Sequence, residues 1–456
     1  MYELRKVKLA EILASRDERA LLKSQFINKY RMPVVSISMN IAGEIKRNPL
    51  IDLAFNYGYE RLVKELGEPI ESFVKRDFTG CFAVLTFDLE AEYIKTICIE
   101  IEDSVPVGRL LDLDVTDASG TLLRRPDGKS RNCLVCGGPV FECSRARAHG
   151  LYEIANKTQG ILADFAVSEI SNLAVDALKE ELELTPKPGL VDQRNCGAHS
   201  DMDFNMMLRS AESLKWYFAG TLRIGLNGDL ENPSELIGLK KLGISAEEKM
   251  MLVTGQVNTH RGAIYGMGIL LAAFGVCLKG GGSLAYRSGK IAEGLFELNM
   301  EMDSFVNKGK LASKSETNKS SNGDLAREIY GACGAENEAI DGFPTAFAGA
   351  EYLDTLLRNC GEDISIAKLR CFVYILAKAD DSNLIHRGGC QGLQFAKLEA
   401  SRLMNLDEAR LIEALEALDD KFIEKNLSPG GTADIFAQSL FLYKIKRCID
   451  GNFSQA

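Results

Sequence analysis

Residues 161–184, ILADFAVSEISNLAVDALKEELEL, mark where the chain changes its period. They form one long amphipathic segment that Pro186 and Pro188 stop, since proline removes a helix hydrogen bond and clashes with the preceding turn. Before about residue 150, by contrast, several segments alternate with period two. In VVSISMNI (34–41), Val35, Ile37, Met39 and Ile41 share one face, and Ser36, Ser38 and Asn40 the other. In TICIEIED (96–103), Ile97, Ile99 and Ile101 oppose Cys98, Glu100 and Glu102. In LLDLDVTD (110–117), Leu111, Leu113 and Val115 oppose Asp112, Asp114 and Thr116. All three read as strands, with helices near 11–30 and 49–66.

Beyond about 160 the pattern predicts helices near 204–219, 246–253, 260–279, 283–305, 346–358, 364–378, 390–404, 407–424 and 431–448, and no strand. The expectation is a multi-domain protein with a mixed α/β domain over 1–155 and an all-α domain over 160–456, the boundary falling near 150–162. Residues 307–323, NKGKLASKSETNKSSNG, are too polar to bury a core and read as a mobile loop.

The bulk numbers agree with more than one domain. The chain has 456 residues, 46% of them hydrophobic, and a formal net charge of −10. That charge disfavours a general nucleic-acid or membrane binder. The N-terminus carries charges throughout and no apolar run, so it does not read as a secretory signal. GAIYGMGILLAAFGVCL (262–278) is short for a membrane span and reads as a buried helix. Twelve cysteines without such a signal imply reduced thiols and a cytoplasmic protein.

GRLLDLDV (108–115) puts Asp112 and Asp114 on one strand face, where they could hold Mg²⁺ against phosphate, with Arg109 neutralising charge. An acidic strand face exposed to water is the plainer alternative. NCLVCGGPVFECSRARAH (132–149) orders Cys133, Cys136, Cys143 and His149 as a zinc site could, or as packed reduced thiols.

VVSISMNIAGEIKRNPLI, GRLLDLDVTDASG and RNCLVCGGPVFECSRARAH together resemble the holo-citrate lyase synthases, the apo-citrate lyase phosphoribosyl-dephospho-CoA transferases, over about residues 10–155. The resemblance implies a nucleotidyltransferase-like domain. It would join a phosphoribosyl-dephospho-CoA group to a serine of the lyase acyl carrier (gamma) subunit, releasing pyrophosphate. It also implies Mg²⁺ on Asp112 and Asp114, and substrate contacts from Arg109, Asn40 and Lys46.

In the second half, four polar clusters stand at expected helix ends, where free N–H groups favour anions. They are TPKPGLVDQRNCGAHSDMDF (185–204), VNTHRGAIYGMG (257–268), DDSNLIHRGG (380–389) and LSPGGTADIF (427–436). Three of the four histidines, His199, His260 and His386, lie in them, which suggests one convergent pocket. Each cluster could also be a plain helix cap: Asp203, Asn258 or Thr259, Asp380 or Asp381, and Ser428 are the cap candidates.

These clusters resemble the triphosphoribosyl-dephospho-CoA synthases over about residues 165–446. The resemblance implies a reaction of ATP with 3'-dephospho-CoA that releases adenine, its product being the substrate of the first half. Acid and base candidates are His199, His260, His386 and Glu338. Asp201, Asp203, Asp380, Asp381 and Asp434 are candidates for Mg²⁺, and Lys187, Arg261, Arg387, Asn258 and Asn383 for substrate. The chain departs from the family pattern at Glu336, where an arginine is expected. Three alternatives stay open: the equivalent enzyme of malonate decarboxylase, an ADP-ribosyl hydrolase, and a non-catalytic nucleotide-binding scaffold.

Overall fold

The computed structural model describes residues 5–126, 131–309, 334–359 and 361–450. The chain forms two compact units, Met1–Ser168 with Arg447–Ala456, and Glu169–Lys446. Most of the expected loop at 307–323 lies outside the described residues, and the helix before it runs through Gly309.

The first unit is built on a four-stranded antiparallel sheet of order β2-β3-β1-β4, with β1 Val34–Met39, β2 Glu71–Asp77, β3 Gly80–Thr86 and β4 Leu111–Thr116. Alternation decides its two faces. Val35, Ile37, Leu111, Leu113 and Val115 enter one core with Phe55, Leu62, Ile94 and Ile101 from helices α2 (Pro49–Leu66) and α3 (Ala91–Ser104). Val34, Phe82 and Val84 meet Phe26 and Ile27 of α1 (Leu9–Tyr30) on the other.

The segment expected as a strand at 96–103 is instead part of α3. Its buried residues, Ala91, Ile94, Lys95, Cys98, Ile101 and Glu102, follow a helical repeat that the Ile97–Ile99–Ile101 alternation masked. Sequence reading also missed the β2–β3 hairpin, which turns tightly through Phe78 and Thr79.

Edge strand β4 does not offer its backbone to other chains. Glu102 accepts the Leu113 N–H at 2.9 Å, while Lys95 and Arg131 donate to the Leu113 and Leu111 carbonyls at 3.1 and 2.9 Å.

Helix α4 (Val140–Ala146) is short, and α5 (Leu151–Glu183) leads into the second unit. There follow α6 (Phe204–Ser213), α7 (Lys215–Asn227), α8 (Pro233–Val253), α9 (Arg261–Gly280) and α10 (Leu284–Gly309). After the gap come α11 (Gly334–Ile340), α12 (Pro344–Asn359), α13 (Ile364–Lys378), α14 (Ser382–Leu403), α15 (Glu408–Glu424) and α16 (Gly430–Asp450). Among the described residues this unit contains no strand.

The helix expected at 204–219 is two, broken at Leu214, and the one expected from 390 begins at Ser382 and kinks at Gly389, where φ is 63°. Helix α9 is long and apolar enough to cross a membrane, yet most of it is buried in this unit's core. It crosses α7 at Gly225 and Gly275. A Cβ on Gly225 would stand 2.0 Å from the Ala272 carbonyl oxygen, so only glycine permits the approach.

Candidate functional site

In the second unit, the connection from α5 to α6 is tied down by two aspartates. Asp192 accepts the backbone N–H groups of Lys187 (2.9 Å) and Arg194 (2.7 Å). Asp419, buried on the apolar face of α15, accepts from Gly189 N–H, the Arg194 guanidinium and the Asn195 amide at 2.8, 2.6 and 2.7 Å. The loop then presents His199. Its Nε2 lies 2.8 Å from Ser428 Oγ, and its Nδ1 lies 3.3 Å from Arg387 and 3.8 Å from Asp201. Burial first, then the Arg387 charge, lowers the His199 pKa and favours the neutral ring. Arg387 also donates to the Ala198 carbonyl at 2.8 Å, and burial lowers its own pKa.

A second group gathers where α9 and α16 begin. His260 stands at the N-cap of α9, buried, with Nδ1 2.8 Å from Ser210 Oγ and Nε2 without a partner. Burial, aided by the nearby Lys187 charge, lowers its pKa to about 4. Asp434 sits just past the first turn of α16 and accepts a hydrogen bond from Ala263 N–H. Burial, then the charges of Glu181 and Asp381, raises its pKa well above the carboxylate range.

Glycines make this contact possible: a Cβ on Gly262 would stand 1.9 Å from Asp434 Oδ2, and one on Gly266 would stand 2.1 Å from Gln438 Nε2. Gly262/Gly266 and Asp434/Gln438 are both i, i+4 pairs, so each presents one face of its helix. Among the described residues, Gln438 Oε1 and Ser288 Oγ are likewise buried without partners. Buried polar atoms normally find partners, so such orphans point to a bound group.

The other expected residues divide by burial. Lys187 is fully buried and its Nζ bonds the Glu181 carboxylate and carbonyl. Asp381, also buried, caps α14 by accepting from Asn383 and Leu384 N–H. It also caps α16, accepting Thr432 N–H and Oγ at 2.7 and 2.9 Å. Asp380 is exposed and paired with Lys397, and Asp203 is an exposed N-cap of α6.

Glu338 accepts from Thr345 and Ala346 N–H at the start of α12, and burial raises its pKa. The Asn258 side chain accepts Arg261 N–H just before α9, and the Arg261 guanidinium pairs with Glu247 at 3.0 Å. The Asn383 amide lies against Gly430, and His386 is exposed. Glu336 lies in the first turn of α11. A cavity of about 680 Å³ between α8, α9 and α10 is lined by Asp229, Glu231, Arg287 and Lys290 among others, and contains none of these residues.

Sequence reading missed Glu181, Asp192, Asp419, Gln438, Ser288 and Ser210. Asp419 carried a signal, since it interrupts the apolar stripe Leu411, Leu415, Leu418 and Phe422. So did the glycine pair at 262 and 266.

In the first unit Asp112 and Asp114 stand opposite Ser38 and Ser36 of β1 on the face toward α1. Burial and the Asp114 charge raise the Asp112 pKa, while Arg131 and Arg19 pull it down. A half-buried carboxylate pair flanked by guanidinium groups suits a divalent cation with bound phosphate. Arg131 was missed, although it directly precedes the cysteine cluster. Glu102, buried, pairs with Arg125 and Arg131. Arg109 donates to the Asn132 carbonyl. Lys46 donates to the Ile41 carbonyl, burial lowering its pKa, and the Asn40 N–H bonds the Leu110 carbonyl. Cys133, Cys136, Cys143 and His149 converge, their ligand atoms all within 4.8 Å of one another.

Residues 167–453 match the family described as ATP:dephospho-CoA triphosphoribosyl transferase, and residues 7–165 match apo-citrate lyase phosphoribosyl-dephospho-CoA transferase. Protein CitXG of Haemophilus influenzae is 33% identical over 470 aligned positions, covering 97% of each chain. A probable 2-(5''-triphosphoribosyl)-3'-dephosphocoenzyme-A synthase of Salmonella choleraesuis is 36% identical over 61% of this chain and 92% of its own. The synthase of Haemophilus ducreyi is 30% identical over 69% of this chain and all of its own. The chain is a transferase of the ATP:dephospho-CoA triphosphoribosyl transferase family, joined to an N-terminal domain of the apo-citrate lyase phosphoribosyl-dephospho-CoA transferase family.

Proposed function

We propose that the chain carries out two consecutive steps in making the citrate lyase prosthetic group. In the second unit, the 2'-hydroxyl of 3'-dephospho-CoA attacks C1' of ATP and the bond from C1' to adenine breaks. The products are 2'-(5''-triphosphoribosyl)-3'-dephospho-CoA and adenine. In the first unit, a serine of the lyase acyl carrier subunit attacks the α-phosphorus of that product, and pyrophosphate leaves. The observation that carries this reading is the fusion itself, since the product of one module is the substrate of the other.

The chemistry asks for a base for the hydroxyl, an acid for adenine, and negative charge beside an oxocarbenium-like transition state. His199, kept neutral by burial and hydrogen-bonded to Ser428, is suited to take the proton. Asp434, held toward its protonated form, is suited to give one. His260 Nε2 and Gln438 Oε1 are free to bind substrate. Arg387 and the α9 N-terminus supply positive charge for the triphosphate.

Asp201 is the exposed carboxylate beside His199 that remains available to Mg²⁺, whereas Asp203 and Asp381 are already engaged as caps. In the first unit Asp112 and Asp114 would hold Mg²⁺, which would screen the triphosphate as pyrophosphate departs. Arg131 and Arg19 add charge there. The cytoplasm, with reduced thiols and ATP, is the compartment this chemistry fits.

The test is to incubate the chain with ATP, 3'-dephospho-CoA, Mg²⁺ and apo carrier protein, then weigh the carrier. A gain equal to one phosphoribosyl-dephospho-CoA unit with release of adenine is expected. Labelling of a malonate decarboxylase carrier in preference, or ATP binding without adenine release, would overturn it.

A further inference from the structure

The segment from Asn132 to His149 has almost nothing apolar to hold it. Helix α4 buries none of its seven residues, and Phe141 is 69% exposed. A segment without a core needs another tie. The four converging side chains supply the donors for one. A tetrahedral site with metal–sulfur bonds of about 2.3 Å has edges of roughly 3.8 Å. Here Cys136 and Cys143 sulfurs are 3.4 Å apart, and all four ligand atoms fall within 4.8 Å.

The backbone is shaped around the sulfurs. Val135 and Cys136 N–H groups donate to the Cys133 sulfur, and Gly138 N–H donates to that of Cys136. Gly137, with φ at 73°, closes this turn through its N–H on the Cys133 carbonyl. A second turn, at Arg147 with φ 47°, returns the chain so that His149 joins the sulfurs. His149 Nε2 is buried with no hydrogen-bond partner.

We propose that Cys133, Cys136, Cys143 and His149 form a structural Zn²⁺ centre that fixes Arg131 beside the Asp112–Asp114 face and gives Arg109 its backbone partner. Three thiolates and an imidazole in a closed tetrahedron are the donor set zinc prefers, and with no open position the metal does no chemistry itself. Its effect passes through two neighbours. Asn132, adjacent to Cys133, takes the Arg109 guanidinium on its carbonyl. Arg131, two residues before Cys133, bonds the Leu111 carbonyl at 2.9 Å and pairs with Glu102. The centre thus holds Arg131 on strand β4 and Arg109 on the cysteine segment.

The test is elemental analysis of the full chain purified under reductant without added metal, with Co²⁺ exchanged for the native ion. One zinc per chain and a thiolate-to-cobalt absorption band are expected. Cys133→Ser and Cys143→Ser should lower metal affinity by at least about tenfold, whereas Cys390→Ser, in the second unit, should retain the metal. Should the first two variants not fold, stepwise chelation of the unaltered chain still reads the stoichiometry. The proposal is overturned by a folded chain with all thiols free that takes up neither Zn²⁺ nor Co²⁺. A Cys136–Cys143 disulfide under anaerobic reductant, or equal metal loss in Cys390→Ser, would overturn it too.

Discussion

Gly262 and Asp434 occupy the same space in two helices: a Cβ on the glycine would stand 1.9 Å from the carboxylate oxygen. Any side chain at 262 must push Asp434 off the Ala263 N–H that it accepts. Gly262→Ala is expected to cut adenine release by about a hundredfold, the usual cost of displacing a reacting group by an ångström. Overpacking should cost stability by about 1–3 kcal/mol. Gly238→Ala is the control, because nothing stands within 4 Å of its Cβ and it lies within α8. That change should be neutral or stabilise by up to about 1 kcal/mol. Adenine assay and thermal melts of both variants check the pair; full activity in Gly262→Ala would remove Asp434 from the reacting set.

Asp380 and Asp381 are neighbours in sequence with opposite fates in the fold. Asp381 closes the starts of two helices, so Asp381→Ala forfeits two caps and should cost about 2–4 kcal/mol. Asp380 is exposed and its pair with Lys397 is screened by water, so Asp380→Ala should stay within about 0.5 kcal/mol. Urea unfolding of both variants decides it, and equal effects would refute the division of roles.

That contrast shows where sequence reading stops. Most helices of the second unit were legible from period and from prolines, and α13 was placed at Ile364–Lys378 as expected, but the short helices α4 and α11 were not. Segment 96–103 was misread because one run of residues satisfied two periods, and only packing against the sheet chose between them. Polar clusters marked His199, His260, Arg387 and Asp381 as a group, but not which carboxylate faces solvent and which caps a helix. Asp419 acts through partners far along the chain and Glu181 through a buried pair, and spacing carries little trace of either; Asp192 bonds backbone N–H groups close in sequence, which any turn aspartate could do.

His260 gives stability a pH dependence of known sign. Unfolded, its imidazole takes a proton below about pH 6.5, whereas in the fold burial lowers its pKa to about 4. The unfolded chain therefore binds more protons in that window. The contribution is complete above about 6.5 and is lost as pH falls toward 4, up to roughly 3 kcal/mol. Buried Asp434, Glu181 and Asp381 have raised pKa values and pull the other way. The measurement is accordingly a difference: stability of the unaltered chain minus that of His260→Asn, from pH 7 to pH 4. A flat difference would mean that the ring takes up its proton alike in the folded and unfolded chain.

Replacing both Asp112 and Asp114 with Asn should separate the two activities. Under the proposed function adenine release takes place in the other unit and is expected to stay within about twofold, while carrier labelling should fall by at least about a hundredfold. Losing both together would place the pair outside the transfer site.

Lys187 is the sharpest test of how the buried centre is organised, because its Nζ is wholly enclosed and bonded to Glu181. Removing one partner of such a pair strands a charge without water. Lys187→Met is therefore expected to destabilise by about 3–5 kcal/mol, whereas Lys187→Met with Glu181→Leu removes both charges and should recover most of that loss. A lysine whose task was to grip phosphate would behave differently. The single variant would keep its melting temperature and raise KM for ATP, and the second substitution would rescue nothing. Melting curves of the three proteins, with KM for ATP measured on each that folds, distinguish an ion pair that holds the fold from a side chain that binds phosphate.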